Sequence, residues 1–173
     1  MDLAATVSEV IDLRSFSNLW FWIAVAVMWS TASHWVLGVP WDLVQRARHG
    51  NGTAAAHVHQ LARIHCDRLL HIGRNAGVWL VGLVSGAVTT LALLALLYEN
   101  EFAQALLCLF LPMTMVGGLS LHTASRIDAG GVEGPALYRL LASHRRWVQM
   151  LGVISIFVTA VWGMYQNVRI GVI

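Results

Sequence analysis

Four stretches of this chain, 19–39, 76–97, 102–121 and 148–165, contain no Asp, Glu, Lys or Arg, and nearly all the charge lies between or outside them. A run of about 20 apolar residues crosses a hydrocarbon layer of roughly 30 Å at about 1.5 Å per residue. Lipid offers the backbone no hydrogen-bond partner, so runs of this length without period-two alternation must be helices. The pattern predicts an all-α integral membrane four-helix bundle with cytoplasmic helical extensions, one domain over 1–173, whose polar segments fall at about 40–75 and 122–147.

The polar segments carry their own periodicity. In 54–75, Val58, Leu61, Ile64, Leu69 and Ile72 recur at roughly helical spacing without a break before Gly73, which predicts that the second helix extends beyond the membrane. Leu61, Ile64 and Leu69 should then be less exposed than Arg63 and Arg68. In GVEGPALYRLLASHRRW, Pro135 occupies a first-turn position and starts a second extension that leads into the fourth helix. HGNGTA and DAGG, at 49–54 and 128–131, read as flexible joints. Val7, Val10, Ile11 and Leu13 beside acidic residues suggest a short interfacial helix, and Pro112 with Gly117 and Gly118 predicts a bend in the third helix.

Composition fixes the class: 57% hydrophobic and 12% charged residues, with a mean hydropathy of +0.64, lie far from soluble averages. Charge fixes the orientation. Lysine is absent, and of the arginines only Arg14 and Arg169 lie outside the two long polar segments. By the positive-inside rule both segments are cytoplasmic, while the termini and the acidic YENE turn at 98–101 are outside. The implied location is a bacterial inner membrane, multi-pass, with both termini periplasmic. The N-terminal stretch has Asp2, Glu9 and Asp12 against Arg14 alone, so it lacks the basic region of a signal peptide. NGT at 51–53 fits the glycosylation pattern, but cytoplasmic placement makes that irrelevant. The arginines need be no more than topology signals, and no nucleic-acid partner is implied.

The chemistry on offer is sparse. His34 and His122 end the first and third runs at matched depth, and facing imidazoles in a bundle are the arrangement that ligates haem b or a metal. The plainer alternative is that each bonds a carbonyl, a hydroxyl or water, with His34 pairing near His122. A one-helix zinc site wants ligands at i and i+3 or i+4, which only Asp67 with His71 provides. Cys66 and Cys108 form no C-x-x-C. No phosphate loop, nucleophile elbow or H-E-x-x-H is present, so no enzyme is implied. Within the runs the polar residues noted are histidine, Ser85, Thr89, Thr90, Thr114 and Thr159. Gly82 and Gly86 form G-x-x-x-G in the second helix, and Gly152, Ser155, Thr159 and Gly163 form a small-residue ridge in the fourth; both are helix-packing or self-association surfaces.

The segments IDLRSFSNLWFW, WSTASHWVLGVPWDLVQRAR and SIFVTAVWGMYQN resemble a family of small alphaproteobacterial inner-membrane proteins described as a component of the SufBCD complex, over nearly the whole chain. The resemblance implies a role beside iron-sulfur assembly and supplies no catalytic residues. Three readings follow: a non-enzymatic accessory or anchor subunit in the lipid bilayer whose cytoplasmic helices dock a protein partner, a haem or metal protein using His34 and His122, and a homo-oligomeric channel or carrier lined by Ser85, Thr89 and Thr90.

Overall fold

The computed structural model describes residues 15–169, so the interfacial helix expected around Val10 lies outside the described residues. A 3-10 turn at Ser15–Ser17 leads into α1 (Leu19–His34). A two-stranded hairpin follows, β1 (Trp35–Val36) and β2 (Val39–Pro40), then a short helix, α2 (Trp41–Arg48). Three long helices complete the chain: α3 (Gly52–Leu96), α4 (Glu101–Gly130) and α5 (Gly134–Arg169). The architecture is all-helical apart from the hairpin, and α3, α4 and α5 are each long and apolar enough to cross a membrane.

The first apolar run is not one span. α1 stops at His34 after 16 residues, about 24 Å at 1.5 Å per residue, and the rest of the run folds back on itself. Leu37 and Gly38 both take positive φ, 49° and 75°, which lets a two-residue loop reverse the chain with the twist of the flanking strands. Trp35 then pairs with Pro40 and Val36 with Val39. The apolar residues that looked like the end of a span serve a core instead: Val36, Leu37 and Val39 are 1%, 5% and 0% exposed.

Asparagine starts three of the helices. Asn18, Asn51 and Asn100 precede α1, α3 and α4, and each side-chain oxygen accepts a first-turn N–H, from Trp20, Ala54 and Ala103 at 2.9, 3.0 and 3.0 Å. This satisfies one of the donors a helix start leaves free. The NGT triplet is therefore a helix cap, with Thr53 Oγ1 also donating to Asn51 Oδ1 at 2.7 Å.

Both extensions are helical. α3 runs unbroken for 45 residues, but the stripe it buries is Ala54, Val58, Ala62 and Cys66, a ridge of small side chains at i+4. Leu61 and Leu69 are half-buried and Arg63 and Arg68 exposed, as expected, whereas Ile64 is exposed against expectation. α4 passes the expected boundary at residue 121, and DAGG is no flexible joint: Asp128 to Gly130 form its last turn. Gly131 ends the helix in the left-handed conformation, φ 52°, with its N–H on the carbonyls of Asp128 and Ile127. Pro112 lies within α4 and has no N–H for the Cys108 carbonyl. Ser155 Oγ of α5 donates to that carbonyl instead, at 3.4 Å, the kind of repair that lets proline persist in a spanning helix.

Two cores result. The larger lies at the arginine-rich end and combines the hairpin (Val36, Val39), α2 (Val44, Ala47), α3 (Val58, Ala62), α4 (Ala124, Ile127) and α5 (Leu137, Leu141). The smaller joins α1 and α5 through Val25, Trp29 and Val148, with Leu109 and Met113 of α4 packed against them. At the opposite end, Phe16 N–H donates to Glu101 Oε1 at 3.0 Å, Ser17 Oγ to Asn167 Oδ1 at 2.8 Å, and Arg169 bridges Glu99 at 2.8 Å. The chain's described ends and the YENE turn therefore share one end of the molecule, and both long polar segments share the other.

Candidate functional site

The histidines expected as a pair are both exposed. His34, the last residue of α1, is exposed and makes no hydrogen bond among the described residues; its ring meets Trp35 edge-on, with centroids 5.8 Å apart. His122 is exposed on α4. The expected bond between His34 and a group near His122 is therefore absent, because the ring lies on the outer side of α1 while Trp29 and Val25 face inward.

The buried imidazole is His144, 4% exposed, on the α5 extension. Its Nδ1 lies 3.1 Å from Thr123 Oγ1, the neighbour of His122 on the inward side of α4. Thr123 gives its only proton to the Leu119 carbonyl at 2.8 Å, so the ring must be the donor, as the Nδ1–H tautomer. Burial holds His144 below the usual imidazole range, as desolvation does for any cation. His71 meets only Asn75, at 2.9 Å, and among the described residues no three His, Cys, Asp or Glu side chains converge as metal ligands.

Next to His144, Arg145 ties three elements together. Its Nε donates to the Ser33 carbonyl in the last turn of α1 at 3.1 Å, and its guanidinium stands 4.6 Å from the centre of the Trp41 ring at the start of α2. The carbonyl is one that a helix end leaves free, and the ring face attracts the cation.

Below the larger core, a cleft of about 510 Å³ opens between α3, the end of α4 and the start of α5. Its floor includes Ala62, Cys66, Ile127 and Leu137, and its rim His59, Arg63, Asp67, Asp128 and Glu133. His59 Nε2 accepts the Gly134 N–H at 3.1 Å, so a side chain of α3 caps α5. Asp128 is bridged by Arg74 at 3.1 Å. Burial, then the nearby Asp67 and Asp128, pushes the Cys66 thiol up to about 11, which makes it a packing residue rather than a nucleophile.

The two small-residue motifs separate. On α5, Gly152 receives the Trp29 ring and Gly163 receives Phe16: a Cβ at either would stand 2.8 Å or 3.1 Å from those side chains. Ser155 and Thr159 are buried on the same ridge. On α3, a Cβ at Gly82 or Gly86 would meet nothing within 4 Å, and Ser85, Thr89 and Thr90 beside them are exposed.

Polar groups buried between the helices escaped the sequence reading. Gln104 and Gln166 are both 5% exposed. Gln104 Nε2 donates to the Ala95 carbonyl at 3.0 Å, and its Oε1 accepts from Trp162 Nε1 at 3.1 Å and from Gln166 Nε2. This network ties α3, α4 and α5 at the terminal end. Between it and Thr123–His144 lies the apolar layer of Val25, Trp29, Val148, Leu109 and Met113, where Trp29 Nε1 is buried with no hydrogen-bond partner among the described residues. Comparison with protein-family models, with characterised proteins and with solved structures gives no match to this chain.

Proposed function

We propose that this chain is a non-enzymatic inner-membrane accessory or anchor subunit whose cytoplasmic module docks a protein partner. The observation that carries this reading is the larger core: residues from the hairpin, α2, α3, α4 and α5 build a packed unit beyond the apolar spans, which lipid burial alone does not require. A rigid platform at a helix end is what a docking subunit needs. The outward side of α3 presents Ile64 and Ile72, 53% and 43% exposed, among the exposed Arg63, Arg68 and His71, a mixed apolar and basic surface of the sort protein contacts use.

The proposed topology takes α3, α4 and α5 as spans and α1 as a fourth, short one. Its 16 residues fall below the usual 20, so local thinning or the flanking Trp20 and Trp35 accommodate the mismatch. The arginine-rich end faces the cytoplasm and both termini the periplasm. A reporter fused after Ile173 should be active only in the periplasm; cytoplasmic activity overturns the orientation. The resemblance to proteins beside iron-sulfur assembly names the first partner to test. Co-purification of the SufBCD proteins with the wild type, lost in Ile64→Asp/Ile72→Asp, supports the reading, and identical recovery with both chains counts against that surface.

A second reading, self-association, is favoured by the open Gly82–Gly86 face and the adjacent Ser85 and Thr89 hydroxyls. Close helix approach at small residues is the usual geometry of such pairs. Gly82→Leu should lower the oligomeric mass in detergent; unchanged mass leaves that face to lipid. The haem reading predicts a Soret band lost in His34→Ala, and the packed apolar layer of Val25, Trp29 and Val148 speaks against a conduction path within one chain.

A further inference from the structure

Arg145 has a feature that its structural role does not use. Its Nε is committed to Ser33 and its face to Trp41, yet among the described residues its two Nη groups have no acceptor and no carboxylate. Arg46, Arg74 and Arg169 are bridged to Asp42, Asp128 and Glu99, and the nearest acid in sequence to Trp41, Asp42, is the one taken by Arg46 at 2.6 Å. A guanidinium held at Nε and across one face is fixed with its Nη edge open, and two parallel N–H groups on that edge match the spacing of two phosphate oxygens.

Depth selects the source of the phosphate. Arg145 precedes the charge-free run that begins at Val148 by three residues, about 4.5 Å at 1.5 Å per residue, which is headgroup level when α5 spans a bilayer. The surrounding side chains suit that level. Trp35 and Trp147 are 51% and 55% exposed, and exposed tryptophans at a span end settle in the interface. Arg146 follows directly and is exposed, adding positive charge where anionic lipid concentrates.

We infer that the Nη edge of Arg145, framed by Trp41 and the end of α1, binds the phosphate of an anionic phospholipid. The inference rests on the proposed spanning of α5. Lipid bound there would couple to the fold, since the same side chain clamps α1 and α2 onto α5, so anionic lipid should stabilise the folded chain.

The test uses the full chain in vesicles of phosphatidylcholine alone or mixed with phosphatidylglycerol, with flotation first. A chain that does not float with vesicles overturns the spanning reading itself. For a chain that floats, titrated phosphatidylglycerol should raise the melting temperature, and native mass spectrometry should retain anionic lipid. Arg145→Gln should weaken lipid retention about tenfold, the equivalent of about 1.4 kcal/mol, and flatten the melting response, while Arg139→Gln, an exposed arginine on the same helix, should leave both intact. If Arg145→Gln does not fold, Arg145→Lys is read instead: it keeps the charge but not the fork, and should lose most of the preference for phosphatidylglycerol. Wild-type preference in whichever variant folds overturns the site. Inorganic phosphate added to phosphatidylcholine vesicles should do nothing; a melting shift equal to that from phosphatidylglycerol overturns the lipid assignment in favour of a soluble anion.

Discussion

Acidification should loosen this protein through one residue, His144. The folded chain holds its ring neutral, 4% exposed, with Nδ1–H on Thr123 and its pKa depressed by burial. The unfolded chain takes up a proton near the ordinary value of 6.5, while the folded chain does so only at lower pH. Unfolding therefore gains up to one proton as pH falls, and stability, complete above 6.5, drops by at most about 1.4 kcal/mol for each unit below it. His144→Asn keeps an N–H near the Nδ1 position and cannot take up that proton. Unfolding free energies of the two chains, measured in detergent at pH 7.5, 6.5 and 5.5, should show the wild type losing ground to the variant mainly in the lower interval. A difference that stays constant across the range would falsify the neutral, buried assignment.

Three further outcomes follow from the packing. Gly38→Ala must keep φ at 75° and would bring Cβ to 2.6 Å from the His65 ring, so a loss of about 2 kcal/mol or more is expected; thermal unfolding of Gly38→Ala/His65→Ala should recover the clash part alone. Gln104→Leu leaves the Trp162 and Gln166 donors unpaired and should cost about 1–3 kcal/mol, and a neutral result in chemical denaturation would show that the network is replaceable. Cys66, with a thiol near 11, exposes about 0.1% thiolate at pH 8 and should resist maleimide until the chain is unfolded in SDS.

The long elements were visible in the sequence because charge is excluded from them. The α3 and α5 extensions showed through the same 3.6-residue rhythm and the Pro135 start. What failed was local. The apolar end of the first run looked like span because Val36, Leu37 and Val39 are as hydrophobic as lipid-facing residues; only the Leu37–Gly38–Val39–Pro40 order hinted that the chain turns there. The stripe on α3 was assigned to its larger side chains, yet the close approach of the hairpin, α2 and α4 selects Ala54, Val58, Ala62 and Cys66. His34 and His144 differ in rotation about their helices, which depth along a helix does not reveal. Gln104 and Gln166 stand in or beside apolar runs and the three asparagine caps just before helix starts, yet the reading by charge-free runs passed over all five.

The way α1 is held has a consequence for the order of synthesis. Its tether points come from the far end of the chain: Arg145 holds Ser33 across a separation of 112 residues, and Asn167 holds Ser17 across 150. While the ribosome is still translating α3 and α4, neither of these two partners of the first helix has been made. A chain interrupted before Leu137 thus lacks both bonds, and its hairpin lacks the share of its cover that Leu137, Tyr138 and Leu141 supply.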